Sequence, residues 1–129
     1  MRELLRQLGG ETVGGSLMDQ TYDVKIPAFA QVTSYVSSDG QIEFDALGEI
    51  AKEKDREDYD NWIVEVKWRQ KRVGRKDLES LTERAKPFRA RVWCVSRAGY
   101  TQEALDFARA HDVLVSTGED LKKLQKIVE

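Results

Sequence analysis

Three side chains, Asp45, Glu65 and Lys67, have the types and the spacing that could carry out chemistry. Asp45 lies near the end of one strand-like segment, and Glu65-Val66-Lys67 lies inside the next. Glu65 and Lys67 are two residues apart, so in a strand they project from the same face, roughly 6.6 Å apart along it. If the two strands pair, Asp45 approaches Glu65 from the side.

Two carboxylates that close repel each other unless one binds a proton or a cation lies between them. A hard cation with oxygen ligands, Mg²⁺ or Mn²⁺, fits such a pair and keeps several of its own waters. It would polarise a phosphate and help to ionise an attacking water, and Lys67 would offset charge in the transition state. The pattern therefore indicates phosphodiester hydrolysis, with Asp45 and Glu65 as metal ligands. Alternation alone favours another interpretation, a solvated strand face whose charges pair across the sheet.

The elements that must position these residues follow from the apolar periodicity. The Asp39-Gly40 pair predicts a hairpin turn, and Thr101 and Thr117 are candidate N-caps. Segment 11–19 is expected to be irregular, and the mostly acidic segment 49–60 to form an exposed loop or hairpin tip. The predicted helices cover 2–8, 76–85, 101–110 and 119–128, and the predicted strands cover 32–36, 41–47, 62–68, 92–95 and 113–115.

The order α-β-β-β-α-β-α-β-α predicts an α/β fold. We expect a central mixed sheet, in which an antiparallel meander is followed by parallel strands, flanked by helices on both faces. A chain of 129 residues is the size of one domain, residues 1–129.

The composition, with 40% hydrophobic and 34% charged residues, is ordinary for a globular protein. No apolar run approaches the roughly 18 to 20 residues that cross a bilayer, so no membrane partner is expected. Cys94 is the single cysteine and lies in an apolar run. This predicts a core position and fits a reducing, cytoplasmic location. One histidine and no Cys/His cluster argue against a zinc site.

A basic run follows the candidate site directly, although the net charge of -2 does not by itself indicate a nucleic-acid-binding protein. Such a surface gives affinity for the phosphate backbone without reading the sequence. Its alternative is a solvated loop. Trp68, beside the run, belongs to the apolar face of its predicted strand and is expected in the core. The candidate nucleic-acid-binding residues are Arg69, Lys71, Arg72, Arg75 and Lys76.

The motif Phe44-Asp45 followed by Glu65-Val66-Lys67 resembles the signature of the PD-(D/E)XK nuclease superfamily. The later stretch, with Ala98-Gly99-Tyr100-Thr101 after one strand and Gly118-Glu119-Asp120-Leu121 after the next, resembles Mrr-type restriction-endonuclease-like domains. The resemblance covers roughly residues 30 to 125. It implies a restriction-endonuclease-like fold and a Mg²⁺-dependent deoxyribonuclease. In such an enzyme Asp45 and Glu65 bind the metal and Lys67 serves catalysis.

The chain departs from the family pattern in two places. Phe44 stands where the pattern has proline, and the spacer between Asp45 and Glu65 is long and acidic. Relatives often use an acid on the first helix, for which Glu3 is the candidate. Because such cores are often fused to other domains or work as dimers, the chain is also a candidate fragment, with a homodimer or a fused domain as partner. The alternative function is a catalytically silent module for nucleic-acid binding or partner docking.

Overall fold

A five-stranded mixed sheet forms the centre of the computed structural model, which describes residues 1–51 and 58–129. The strands lie side by side in chain order; the first three are antiparallel and the last two join in parallel. They are β3 (Phe29–Val36), β4 (Glu43–Ile50), β5 (Asn61–Lys67), β6 (Ala90–Ser96) and β7 (Leu114–Thr117). The predicted meander and parallel strands are therefore confirmed.

Four α-helices cover the sheet, in the predicted order. Thr101 and Thr117 act as N-caps, since their hydroxyl oxygens accept hydrogen bonds from the N–H groups of Ala104 and Asp120, both at 3.2 Å. The helices are α1 (Arg2–Leu8), α2 (Arg75–Ala85), α3 (Gln102–Ala110) and α4 (Gly118–Ile127), and two short 3₁₀ helices cover Gly15–Met18 and Lys86–Phe88.

Each face of the sheet has its own hydrophobic core, so the prediction of helices on both faces is confirmed. The first core joins the even-numbered apolar residues of β5, Trp62 and Val64, to α1 and α4. The second core joins Ile63 of β5 to α2 and α3 and contains Cys94, which is buried as predicted. Alternating side chains of β5 therefore serve different cores, and any polar residue at an odd position of β5 faces α2.

The segment after α1, expected to be irregular, contains a short strand. β1 (Thr12–Val13) pairs with β2 (Val24–Lys25) in a separate antiparallel sheet, and two-residue strands are too short for a periodic signal. The segment is fixed to the central sheet because Ser116 Oγ–H donates to the carbonyl oxygen of Leu17. The same hydroxyl oxygen accepts from Trp93 Nε1–H at 2.8 Å. The N-terminal segment thus closes the first core.

A β-bulge interrupts β4 beside the candidate site. From Thr33 to Tyr35, β3 advances two residues, while its partner β4 covers three, from Leu47 to Phe44. The extra residue lets Phe44 and Leu47 both pack in the second core, although a regular strand would place them on opposite faces. Asp45 lies inside this irregular stretch, which re-aims side chains in a way that simple alternation does not predict.

The acidic spacer lies largely outside the described residues, which omit 52–57. The strands on the two sides of the spacer pair with each other, and Glu49 of β4 lies opposite Asn61 of β5. Within the described part of the chain, no helix has the length and apolar character needed to cross a membrane.

Two neighbouring glycines offer a test of how tightly the N-terminal segment packs. A Cβ at Gly15 would overlap the carbonyl oxygen of Tyr22, whereas a Cβ at Gly14 would meet nothing within 4 Å. We expect Gly15→Ala to lower the free energy of unfolding by at least about 2 kcal/mol. Gly14→Ala should change it by less than about 0.5 kcal/mol. Urea denaturation measures both, and equal stability of the two variants would contradict the packing of this segment.

Candidate active site

The pairing of β4 with β5 brings Asp45 to Glu65. The register runs from Glu49 opposite Asn61 to Ala46 opposite Val64, and Asp45 is the residue that follows this last pair. Asp45 Oδ2 accepts a hydrogen bond from the Val66 N–H at 2.7 Å. The carboxylate of Asp45 is therefore held across the strand at the Glu65-Val66 peptide, where the sequence pattern predicted it.

Glu65 is the buried member of the pair, with 8% of its surface exposed. As an odd-numbered residue of β5 it faces the side of the sheet covered by α2, and Cys94 lies beside it on β6. Two cations neutralise it: Lys67 Nζ lies 3.7 Å from Glu65 Oε2, and Arg84 Nη2 of α2 lies 3.6 Å from the same atom. A carboxylate at this position needs such partners, because burial without them is costly.

Burial raises the pKa of Glu65 to about 6, from an ordinary value of 4.5. A hydrogen bond with the Asp45 carboxyl group and the negative charge of Asp45 raise the pKa further, while Lys67 and Arg84 oppose the rise. The two carboxyl groups thus share a space that disfavours a second negative charge. A bound divalent cation would reverse that preference.

Lys67 is the last residue of β5 and lies on the same face as Glu65. Its backbone is fixed from the neighbouring strand, because Lys67 pairs with Ser96 and its carbonyl oxygen accepts from the Arg97 N–H at 3.2 Å. Its ammonium group is half-buried beside the two carboxylates. All three predicted residues therefore lie together, and their catalytic and metal-binding roles stay predictions.

Arg84 is a site residue that the sequence reasoning missed. It lies three residues after Leu81 on α2, at the edge of the buried stripe formed by Leu78, Leu81 and Ala85. A cation next to an inward-facing stripe, on the helix that covers the face of Glu65, was a signal that could have identified it. Which helix covers which face is set by the tertiary structure.

Glu3, the candidate acid of the first helix, does not join this group. Its side chain is 72% exposed and pairs with Arg6 at 3.3 Å. The buried leucines of α1 belong to the first core, on the opposite face of the sheet from Glu65.

The cations of the basic run differ in whether a carboxylate of α2 binds them. Arg69 Nη2 lies 2.7 Å from Asp77 Oδ2, and Arg75 Nε lies 2.6 Å from Glu79 Oε1. Burial alone would raise the pKa of Asp77, but the Gly74 N–H and the Arg69 guanidinium outweigh it and the pKa is lowered. Arg69 therefore fastens the loop to the start of α2. Lys71, Arg72, Arg75 and Lys76 are all exposed, and of these Arg75 forms the salt bridge to Glu79.

The donor set at this place fits Mg²⁺ or Mn²⁺. Asp45 and Glu65 supply carboxylate oxygens, and Mg²⁺ is usually held by one or two carboxylates, several waters and phosphate oxygens of the substrate. In the described residues no group of three or more His, Cys, Asp or Glu side chains could hold a metal ion. Substrate and water oxygens would therefore have to complete the coordination.

The mixed sheet and the carboxylate–lysine group define a nuclease-like α/β domain. Residues 11–125 match the family model Mrr_cat, restriction endonuclease. The chain belongs to this family, as the motif and the tail of the sequence predicted, and membership implies a nuclease that acts on DNA. Searches of curated proteins and of solved structures gave no match.

The buried carboxyl of Glu65 predicts a pH dependence of stability. Its folded-state pKa, about 6, lies above its ordinary value of 4.5, so the folded protein binds more protons between these values. The free energy of unfolding must then fall as pH rises through this window, by about 2 kcal/mol from this residue. Glu65→Gln lacks this titration. As the pH rises through this window, the free energy of unfolding of the wild type should therefore fall by that amount relative to the free energy of unfolding of the variant.

Urea denaturation of both proteins on the two sides of this window measures the difference. Glu43→Gln, which changes an exposed carboxylate on β4, is the matched control and should follow the wild type. Parallel pH profiles of the wild type and Glu65→Gln would show that Glu65 titrates normally.

Proposed function

We propose that this protein is a metal-dependent endonuclease that hydrolyses phosphodiester bonds of DNA. The observation that carries the proposal is the cross-strand pair of Asp45 and Glu65, with Lys67 on the same face. Two oxygen ligands and a cation on adjacent rigid strands can hold a phosphodiester and a water in a fixed arrangement. Family membership supports the same reaction class.

In the proposed reaction each residue has a separate task. Asp45 and Glu65 would hold the divalent cation, which would polarise the scissile phosphate and lower the pKa of water. Lys67 exchanges its contact with Glu65 for a phosphate oxygen and offsets the charge that develops there. A water gives up a proton to solvent as its oxygen bonds to phosphorus, the P–O ester bond breaks, and the leaving oxygen takes up a proton from solvent.

The surrounding residues support this arrangement. The Val66 N–H fixes one Asp45 oxygen, which leaves the other oxygen of that carboxylate for the cation. Arg84 neutralises the Glu65 carboxylate from α2 and would add positive charge beside a bound phosphate. The exposed Lys71, Arg72 and Lys76 would contact the DNA backbone.

The second candidate function is a binding module without turnover. It is favoured by the fact that Glu65 is already neutralised by Lys67 and Arg84. If these contacts persist, the carboxylates bind no cation and the fold serves nucleic-acid binding or partner docking.

Plasmid nicking with Mg²⁺ or Mn²⁺ tests the catalytic proposal. Lys67→Ala should lower the rate of nicking by about 10²- to 10³-fold, because a charge-stabilising donor is lost from the site. Lys25→Ala, which removes an exposed lysine of β2, is the control and should keep the wild-type rate. Equal nicking by the wild type and Lys67→Ala would rule out the proposed role of Lys67.

Calorimetric titration with Mn²⁺ separates the two functions. Asp45→Asn keeps an oxygen that can accept from the Val66 N–H but loses the negative charge, so Mn²⁺ affinity should fall at least about tenfold. Glu43→Gln should bind Mn²⁺ like the wild type. No heat of binding with either the wild type or Asp45→Asn would favour the binding module.

The salt dependence of duplex binding tests the basic run. Each lost phosphate contact should reduce the slope of log Kobs against log salt by about 0.9. We expect Lys71→Gln and Arg72→Gln each to show this change. Arg75→Gln should show less, since its guanidinium is engaged by Glu79. Binding is followed with labelled duplex in EDTA, and identical slopes for all three variants would contradict the assignment.

A further inference from the structure

Trp68 is exposed at the end of the strand that carries Glu65 and Lys67. It is 52% exposed, whereas Trp62 and Trp93 are 2% and 0% exposed. The expectation that Trp68 lies in the core is therefore wrong. The reason is that β5 ends at Lys67, so Trp68 lies beyond the last strand pair.

The surroundings of Trp68 are formed by the carboxyl edge of three parallel strands. Lys67 lies beside Ser96, and Ser96 lies beside Thr117, so the next residues, Trp68, Arg97 and Gly118, share this edge. The indole packs against Gly118, where an added Cβ would lie 3.1 Å from its Cη2 atom. The Arg97 guanidinium carbon lies over the indole ring, 6.0 Å from its centroid, so a base would stack on the ring face away from this cation.

This edge combines an aromatic surface with positive charge. Trp68 borders an open groove that also includes Val66, Leu121 and Lys122. Arg97 is exposed, and its backbone is fixed by the hydrogen bond to Lys67. The exposed indole of Trp68 lies near the cations Arg97 and Lys122, and the basic run follows it in the chain. Such a surface matches a nucleotide, because the base can stack on the indole and the phosphate can pair with a cation.

We propose that Trp68 stacks on an unpaired nucleobase and that Arg97 binds the adjoining phosphate. The preferred substrate is then DNA with unpaired nucleotides that reach Trp68 around the carboxyl edge of β5, because the groove of Trp68 lies on the face covered by α1 and α4 and Glu65 faces α2. The inference deepens the proposed nuclease function and rests on it for the position of the scissile phosphate. The stacking itself requires no metal and no turnover.

Tryptophan emission in EDTA tests the stacking directly. Since Trp62 and Trp93 are buried, a change on titration with single-stranded oligothymidylate reports mainly on Trp68. Stacking should quench the emission, and a blunt duplex should quench it less, because its bases are paired. No quenching, or equal quenching by both, would overturn the proposal.

Variants of Trp68 separate stacking from general packing. Trp68→Leu keeps apolar bulk but not the aromatic plane, so affinity for the single strand should fall roughly 5- to 150-fold. Trp68→Phe keeps a plane and should stay within about threefold of the wild type. Arg97→Gln should reduce the salt slope for single strands by about 0.7. Wild-type affinity of Trp68→Leu would refute the stacking.

Two experimental outcomes distinguish a failure of the base site from a failure of the nuclease. Quenching by single strands without any metal-dependent nicking would overturn the nuclease and leave the base site intact. Metal-dependent nicking of duplex plasmid without quenching by single strands would overturn the base site and leave the nuclease intact. If a second copy of this chain covers the groove instead, sedimentation velocity should show a dimer that Trp68→Leu dissociates, and that result would overturn the base site.

Discussion

The register between β4 and β5 is the constraint on which the site depends. It brings Asp45 to the end of the strand pairing beside Glu65 and lets the Val66 N–H hold the Asp45 carboxylate. A slip of one residue would move every side chain of a strand to the other face. Apolar residues on both faces prevent that slip, since Val64 belongs to the first core and Ile63 to the second. The packing energy of the two cores therefore fixes the geometry of the polar group.

Glu65 carries the main electrostatic cost of this arrangement. It is buried among apolar neighbours, its pKa is raised to about 6, and two cations are needed to compensate its charge. A purely structural residue at this position would be better apolar, because a well-packed hydrophobic side chain avoids the desolvation penalty. Proteins commonly give up stability in this way at functional sites. Lys67 and Arg84 act as the neutralising partners of its carboxylate.

The parallel half of the sheet gives the site its surroundings. Because β5, β6 and β7 end together, their carboxyl edge places Trp68, Arg97 and the start of α4 in one row beside Lys67. In open α/β sheets ligands bind outside the carboxyl ends of the strands. The Glu65 carboxylate faces α2, and the groove of Trp68 lies on the face of the sheet covered by α1 and α4.

The sequence alone determined the order of the α-helices and of the central-sheet strands, the two threonine N-caps and the grouping of Asp45, Glu65 and Lys67, because periodicity, turn residues and N-caps are local signals. Trp68 could not be predicted, because alternation does not tell where strand pairing ends. The bulge at Asp45 and the approach of Arg84 also came only from the tertiary structure. Both depend on how distant segments pack, since β3 sets the bulge and the placement of α2 over the second core brings Arg84 to Glu65.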